Sequence, residues 1–532
     1  LLGARFSYKL AAEVIVYRST RSDRAAVSPE RALLDGIAPD GGLYVPETLP
    51  LLEPAALGLE SLSYPELSFL VLKPFFPTFG DDGLKAALTA QAERFPASGP
   101  APVVYRKGMA FVELYRGPTL AFKDLALSLM GPLLGLAKCK LGMDEEIVIL
   151  VATSGDTGKA ALEGLARPGR PANGIRVVVF YPSEGVSAVQ KLQMTSHDAP
   201  GAAVIGIRGN FDDAQKGVKA VFASTAAADF ALRRKMRLSS ANSINIARLL
   251  PQIVYYVSAW RDMRDSGALG SDGIMDVAVP TGNFGNILAA WYAKRMGLPI
   301  GALICASNRN RVLADFFERK RYDRDRPFYK TESPSMDILV SSNLERLVFH
   351  ATGEDPDRTA ALMARLAEKG GYELTGAEAD ALSDFRAGWA DDAAAGDAAR
   401  RLFEASGYLV DPHTAVAVSV LEKMREESGG SRPTLVAATA SPFKFPVSVA
   451  RAIGLAGTSA KEAFRGAAST RAEALLELDM AERLAAAAGL ELPSAIRELR
   501  GASELHGTVV EASEMEEALE RSLDAPLRGG SR

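Results

Sequence analysis

Lys123 stands in Tyr115-Arg-Gly-Pro-Thr-Leu-Ala-Phe-Lys-Asp124, a setting suited to a reactive amine. Gly117-Pro118-Thr119 reads as a turn with Thr119 as candidate N-cap. Phe122, Leu125, Ala126, Leu129, Met130, Leu133 and Leu134 then recur at helical spacing, so Lys123 falls in the first turn of a helix. An ammonium at the positive end of a helix, among apolar residues, is poorly stabilised. Its pKa falls, as a Schiff-base lysine requires. The competing reading is a solvated surface lysine beside Asp124.

Three further stretches are suited to anions. Ala152-Thr-Ser-Gly-Asp-Thr-Gly158 joins a strand-like run to the helix predicted over Lys159–Ala166, and its hydroxyls and free N–H groups make a site for a carboxylate or phosphate. Pro280-Thr-Gly-Asn-Phe-Gly-Asn286 again follows a strand and precedes a helix, Ile287–Met296. Gly282 and Gly285 would let the backbone approach a phosphate. The loop lacks the Lys-Ser/Thr of a nucleotide triphosphatase and the spacing of a dinucleotide fingerprint, so a phosphate without a nucleotide fits best. In Asn242-Ser-Ile-Asn-Ile-Ala-Arg248, the spacing of Asn245 and Arg248 could bring amide, hydroxyl and guanidinium to one anion, the alternative being a capped helix whose arginine pairs with an acid. In Leu435-Val-Ala-Ala-Thr-Ala-Ser-Pro-Phe-Lys444 a strand ends at Thr439, which puts a hydroxyl at its carboxyl end, a buried capping threonine being the ordinary alternative. His197, His350, His413 and His506 are scattered and form no triad or metal spacing, so structural roles are expected of them.

The elements that must position these residues alternate. Strand-like runs at Glu146–Ala152, Ile175–Tyr181, Ala203–Ile207, Met275–Val279, Ala302–Ala306 and Thr434–Ala438 are rich in valine and isoleucine, and most precede a helical stretch. This predicts an α/β fold of parallel sheets covered by helices, with ligands at the carboxyl ends of the strands. Residues 13–100 read as an N-terminal domain or cap, mostly helical, with Pro39-Asp-Gly-Gly42 turning into a short extended segment. Residues 101–460 read as the catalytic region, in two α/β subdomains. Residues 461–532 read as a helical C-terminal region with a disordered tail from Leu527, and Asp355–Gly407 also reads as helical.

A chain of 532 residues is too long for one core. Its 61 basic and 65 acidic residues give a net charge of −4, which offers no broad field for nucleic acid or a membrane, so anions must be captured locally. No apolar run approaches the roughly 20 residues of a membrane span. Cys139 and Cys305, the only cysteines, suit a reducing, cytoplasmic compartment, and no metal site is expected. Residues 1–12 read as an added leader or the stub of a removed targeting segment.

Taken in order, the motifs closely resemble threonine synthase, the pyridoxal 5'-phosphate (PLP) enzyme of the tryptophan-synthase-β fold group (fold type II), in its long bacterial and fungal class. The resemblance runs from Tyr17 to about Gly489. It rests on Tyr17-Arg-Ser-Thr-Arg21, Asp40-Gly-Gly-Leu-Tyr-Val-Pro46, Gly117-Pro-Thr-Leu-Ala-Phe-Lys-Asp124, Ser154-Gly-Asp-Thr-Gly158, Gly209-Asn-Phe-Asp-Asp213, Asn242-Ser-Ile-Asn-Ile-Ala-Arg248, Gly282-Asn-Phe-Gly-Asn286, Ser333-Pro-Ser-Met-Asp-Ile-Leu-Val-Ser-Ser-Asn343 and Asp411-Pro-His-Thr414. It implies that Lys123 forms the Schiff base and that Gly282, Asn283, Phe284, Gly285 and Asn286 hold the cofactor phosphate, with Thr439 at the pyridine nitrogen. Thr153, Ser154, Asp156 and Thr157 would face the substrate carboxylate and the cofactor, and Asn242, Ser243 and Arg248 the substrate phosphate. One departure is Ser441, where the family commonly has histidine.

The implied reaction converts O-phospho-L-homoserine and water to L-threonine and phosphate, by a monomer or homodimer that binds neither nucleic acid nor membrane. A related phospho-lyase releasing 2-oxobutyrate shares every motif. A cofactor-free scaffold on a decayed enzyme fold would have lost Lys123 or the Gly282–Asn286 loop, and both are intact.

Overall fold

A computed structural model describes residues 15–52, 62–166, 174–184, 186–430, 432–455 and 470–525. The expectations for residues 1–12 and for the tail from Leu527 lie outside these residues.

Two sheets organise the chain. The first has five strands in the order Val509–Glu511, Ala202–Arg208, Ile175–Pro182, Glu146–Ala152, Met236–Ser240, all neighbours parallel. The second has six, in the order Phe385–Trp389, Ile300–Ser307, Met275–Pro280, Thr434–Ala438, Met109–Glu113, Val103–Arg106, and only its last pair is antiparallel. The continuous apolar run Ile147–Ala152 follows from burial on both faces. One apolar core threads both sheets, taking Ile147, Ile149 and Val151 from the first and Val277, Val279 and Leu435 from the second. The six runs picked out by composition are strands with ends within two residues of expectation.

The departures are short or at edges. Asp355–Gly407 is not all helix: it contains Gly371–Glu373, paired with Arg321–Asp323, and Phe385–Trp389, an edge strand of the second sheet. The C-terminal region likewise contributes a strand, Val509–Glu511, to the edge of the first sheet. Neither segment carries the long β-branched run that marks an interior strand, and each is held in place by its partner.

The helix Lys123–Leu141 begins as expected, but Thr119 is not its cap. The Thr119 N–H and hydroxyl both donate to the Asp124 carboxylate, at 2.8 and 2.5 Å, so the acid of the first turn reaches back to hold the preceding loop. The helix Thr470–Ala488 presses Ala474, Leu478, Ala481 and Leu484 against Leu120, Ala440 and Phe443, residues flanking the two lysine-bearing loops described next. Its Glu477 accepts from the Val189 N–H (3.0 Å) at the start of the helix Ala188–Thr195.

Candidate active site

Four loops leave the carboxyl ends of parallel strands and converge. Met109–Glu113 leads to Lys123, Glu146–Ala152 to Asp156, Met275–Pro280 to Gly282–Asn286, and Thr434–Ala438 to Thr439. A fifth, 333–343, packs across them.

Lys123 is 8% exposed. Its Nζ donates to Asp156 Oδ2 at 3.2 Å and to Ser335 Oγ at 3.4 Å. Burial pushes the amine below the ordinary lysine value; Asp156 opposes this, and Lys444 and Arg248 add to it. The surface-lysine reading is thereby excluded. Asp156, expected on the substrate side of its turn, has both carboxylate oxygens engaged inside the protein. Oδ2 faces Lys123, while Oδ1 takes Lys444 Nζ at 2.5 Å and Gln190 Nε2 at 2.8 Å. Burial alone would raise its pKa, but Lys123 and Lys444 override this and hold it far below the carboxylate range. So placed, it is a partner for cations, and its charge opposes a substrate carboxylate. Thr153 is also engaged, its hydroxyl oxygen accepting from the Gly155 and Gly158 N–H groups, both at 2.9 Å. Ser154 and Thr157, half-buried in the same turn, have their hydroxyls outside these bonds.

The Gly282–Asn286 loop is a cradle formed by its carbonyl partners. Ser341 Oγ donates to the Gly282 carbonyl (2.7 Å), the Asn343 N–H and Nδ2 donate to the Asn283 carbonyl (3.1 and 3.0 Å), and Ser342 Oγ donates to Asn283 Oδ1 (3.2 Å). These bonds tie two of the loop's carbonyls to this segment, and a loop of this kind at a helix start can present its peptide N–H groups to an anion. Only one of the two glycines is sterically required. A Cβ on Gly282 would lie 2.5 Å from the Ser335 carbonyl oxygen, whereas one on Gly285 meets nothing nearer than 3.6 Å. The left-handed position is Phe284 (φ 65°), whose ring stacks on Phe317 and packs at a tilt against Phe385. Asn286 accepts from the Tyr256 hydroxyl, and its buried Nδ2 has no partner. An orphaned donor costs about 1–3 kcal/mol unless a ligand fills it.

Arg248 is 3% exposed. Its Nη1 donates to the Ala241 carbonyl at 2.6 Å and its Nε is unpartnered. Among the described residues no carboxylate pairs with it, so the arginine–acid alternative fails. Burial alone lowers the guanidinium to about 10. Asn245 serves the fold: its Oδ1 accepts from the Ala247 N–H, and its Nδ2 donates to the Leu33 and Ser240 carbonyls. Ser243 Oγ lies 3.4 Å from Ser342 Oγ, which joins the Asn242–Arg248 loop to the cradle's supporting segment.

Thr439 is 6% exposed, and its N–H donates to Thr414 Oγ1 (3.3 Å). Thr414 donates to Asp411, which also accepts from His413 Nδ1 (2.6 Å). His413 Nε2 then accepts from the Ser335 N–H (3.1 Å). His413, Ser335, Gln190 and Lys444 are site residues that spacing did not reveal; each lies far in sequence from Lys123. Ser441, the departure from the family pattern, accepts from the Phe443 N–H in the turn that delivers Lys444. Among the described residues, no group of histidine, cysteine and acid side chains is arranged for a metal.

Parallel strands whose following loops bring a buried lysine and a glycine-bearing loop against the same segment, 333–343, are the architecture of a pyridoxal-phosphate-dependent enzyme of fold type II. A family profile described as pyridoxal-phosphate dependent enzyme matches residues 99–440, flanked by profiles for the threonine synthase N terminus (16–91) and C-terminal part (414–487). Threonine synthase of Pseudomonas aeruginosa is 41% identical over 443 residues, 82% of this chain and 90% of that protein. Human threonine synthase-like 1 is 38% identical over 432 residues, 79% of this chain and 57% of that protein. The crystal structure of PLP-bound threonine synthase from Brucella melitensis superposes with a TM-score of 0.80 at 34% identity, covering 96% of this chain and all of that one. The chain belongs to the threonine synthase family.

Proposed function

We propose that this chain converts O-phospho-L-homoserine and water to L-threonine and phosphate with PLP as cofactor. The observation that carries the reading is a buried, pKa-lowered lysine joined through Ser335 to the Gly282–Asn286 loop, together with two buried donors left without partners, Asn286 Nδ2 and Arg248 Nε. Both donors are buried at a cost that bound anions would offset, so the residues present fit a phosphorylated cofactor and a phosphorylated substrate.

In this reading Gly282, Asn283, Phe284, Gly285 and Asn286 hold the cofactor phosphate, Thr439 faces its ring nitrogen, and Lys123 is its covalent anchor. The bound cofactor supplies the electron sink for charge at the substrate α-carbon. Lys123 Nζ takes a proton from the α-carbon and, once that proton has been passed on, a second from the β-carbon. One proton goes to the γ-carbon that phosphate has left and one returns to the α-carbon after water has added its hydroxyl at the β-carbon, water's other proton leaving with phosphate. Asp156 Oδ2 and Ser335 Oγ keep that amine in reach. Arg248, with Asn242 and Ser243, binds the phosphate and stabilises charge as it leaves the γ-carbon. Ser154 and Thr157 take the carboxylate, with Thr153 and Asp156 holding the turn and the lysine beside them.

No helix among the described residues is long and apolar enough to cross a membrane, and the two free cysteines support a cytoplasmic location. Incubation of the purified holoenzyme with O-phospho-L-homoserine should release phosphate and threonine in equal amounts. Phosphate with 2-oxobutyrate would instead make it the phospho-lyase, and no phosphate release would refute both.

A further inference from the structure

Two lysine-bearing loops are stitched together at the site. Ala121 and Ala440 form an antiparallel bridge, with the Phe122 N–H donating to the Thr439 carbonyl (2.8 Å) and the Ser441 N–H to the Leu120 carbonyl (3.0 Å). The bridge delivers Lys123 from one loop and Lys444 from the other to opposite oxygens of Asp156, at 3.2 and 2.5 Å. Lys444 is 0% exposed, and its Nζ also donates to the Thr119 carbonyl at 2.9 Å. A lysine so enclosed is retained against a desolvation cost, and none of the reaction steps gives it a part.

We propose that Lys444 is a positioning residue for the reaction, a fixed cation that occupies Asp156 and so leaves the Lys123 amine free to act as the base. Charge counting in a buried space carries this role, on the reading that Lys123 is the reactive lysine. Asp156 alone beside Lys123 would form a neutral pair only with the lysine protonated, which locks the amine as an ammonium. With Lys444 present the neutral cluster is Lys444 ammonium, Asp156 carboxylate and Lys123 amine, and burial favours it. A proton taken by Lys123 then gives a cluster of charge +1, held by Asp156 Oδ2 just long enough to be returned. The other charged or titratable groups facing the cluster act in known directions. Arg248 also disfavours the Lys123 ammonium, while Asp124, His413 and Lys159 bear on Asp156 and Lys444 from the flanking helices.

The experiment compares wild type, Lys444→Met and Lys444→Arg. The Lys123 amine is titrated in the full-length apoprotein by trace acetylation with acetic anhydride between pH 6 and 11 and peptide mapping; the acid limb of kcat, which reports groups of the substrate-bound enzyme where Lys123 is released from the cofactor, is read on the holoenzyme. Lys444→Met should raise the Lys123 titration and the acid limb together by about one pH unit or more, and Lys444→Arg should restore both toward wild type. An unmoved Lys123 titration in folded Lys444→Met overturns the proposal, even if activity falls. Should Lys444→Met fail to fold, wild type still decides, because a Lys123 amine titrating with the exposed lysines of the same digest overturns it too. Borohydride reduction of the holoenzyme separates the two readings, since a pyridoxyl group on any lysine but Lys123 refutes the anchor assignment itself.

Discussion

Arg248 is placed at a cost to the fold, and its removal should therefore move activity and stability in opposite directions. The guanidinium is 3% exposed, has no carboxylate partner among the described residues, and is lowered from 12.5 to about 10 by burial. A folded-state value depressed for a cation means that the charged form is penalised in the native protein. The penalty is full below about pH 10 and fades as pH climbs toward 12.5. It amounts to about 3 kcal/mol, from which the bond to the Ala241 carbonyl returns about 1. Arg248→Met keeps most of the volume and removes the charge, so the apoprotein should melt no lower than wild type at pH 7 and by this reckoning a few degrees higher. Losing a charge-assisted contact to a desolvated phosphate should cost about 2–5 kcal/mol in kcat/KM, roughly 30- to 5,000-fold. kcat should fall as well, because the contact strengthens as phosphate departs. Inorganic phosphate should raise the melting temperature of wild type far more than that of the variant. The assays are steady-state phosphate release, with the cofactor absorbance as control, and calorimetry of the apoproteins with and without phosphate. A variant that melts well below wild type while turning over at a near-normal rate would refute the reasoning on both counts.

Borohydride reduction of the holoenzyme and peptide mapping should place the pyridoxyl group on Lys123. Gly282→Ala puts a Cβ 2.5 Å from the Ser335 carbonyl oxygen and should release cofactor on gel filtration, whereas Gly285→Ala, with 3.6 Å of room, should retain it. Equal retention in the two variants would mean that the cradle is not the phosphate site. Glu477 is pushed by burial from 4.5 to about 7, so its contribution to stability is intact below about pH 4.5 and is lost as pH rises to 7, a change of about 3 kcal/mol. Glu477→Gln should melt with wild type near pH 4.5 and above it beyond pH 7; parallel curves would exclude this source.

Interior strands were legible in the sequence because burial on both faces demands continuous valine and isoleucine, as at 147–151 and 177–179. Phe385–Trp389 and Val509–Glu511 were not, because an edge strand of three to five residues takes its conformation from its neighbour. The glycine loops read in the sequence as candidate anion sites, but nothing there marks Phe284 as the left-handed residue of its loop, because the aromatic neighbours it packs against, Phe317 and Phe385, are remote in sequence. Lys444, Gln190 and His413 were opaque for a different reason. Their partners lie 288, 34 and 78 residues away, at Asp156 and Ser335, and no periodicity encodes such contacts. The cap expected at Thr119 failed because the hydroxyl of a candidate cap can donate as well as accept, and the buried acid at Asp124 claimed it.

The order of strands in the two sheets sets a timetable for synthesis. The edge Ala202–Arg208 of the first sheet is covered by Val509–Glu511, made about 300 residues later, and the second sheet receives Thr434–Ala438 between strands that were complete long before. At roughly 5–20 residues per second the first edge stays open for about 15–60 s on the ribosome. An unpaired parallel edge of that kind is a template for a second nascent chain. Neighbouring ribosomes on one message would thus carry chains whose matching edges are exposed at the same time. The yield of native enzyme should then depend on how densely ribosomes load, and holdase chaperones that shield this edge should matter more than any that act after release.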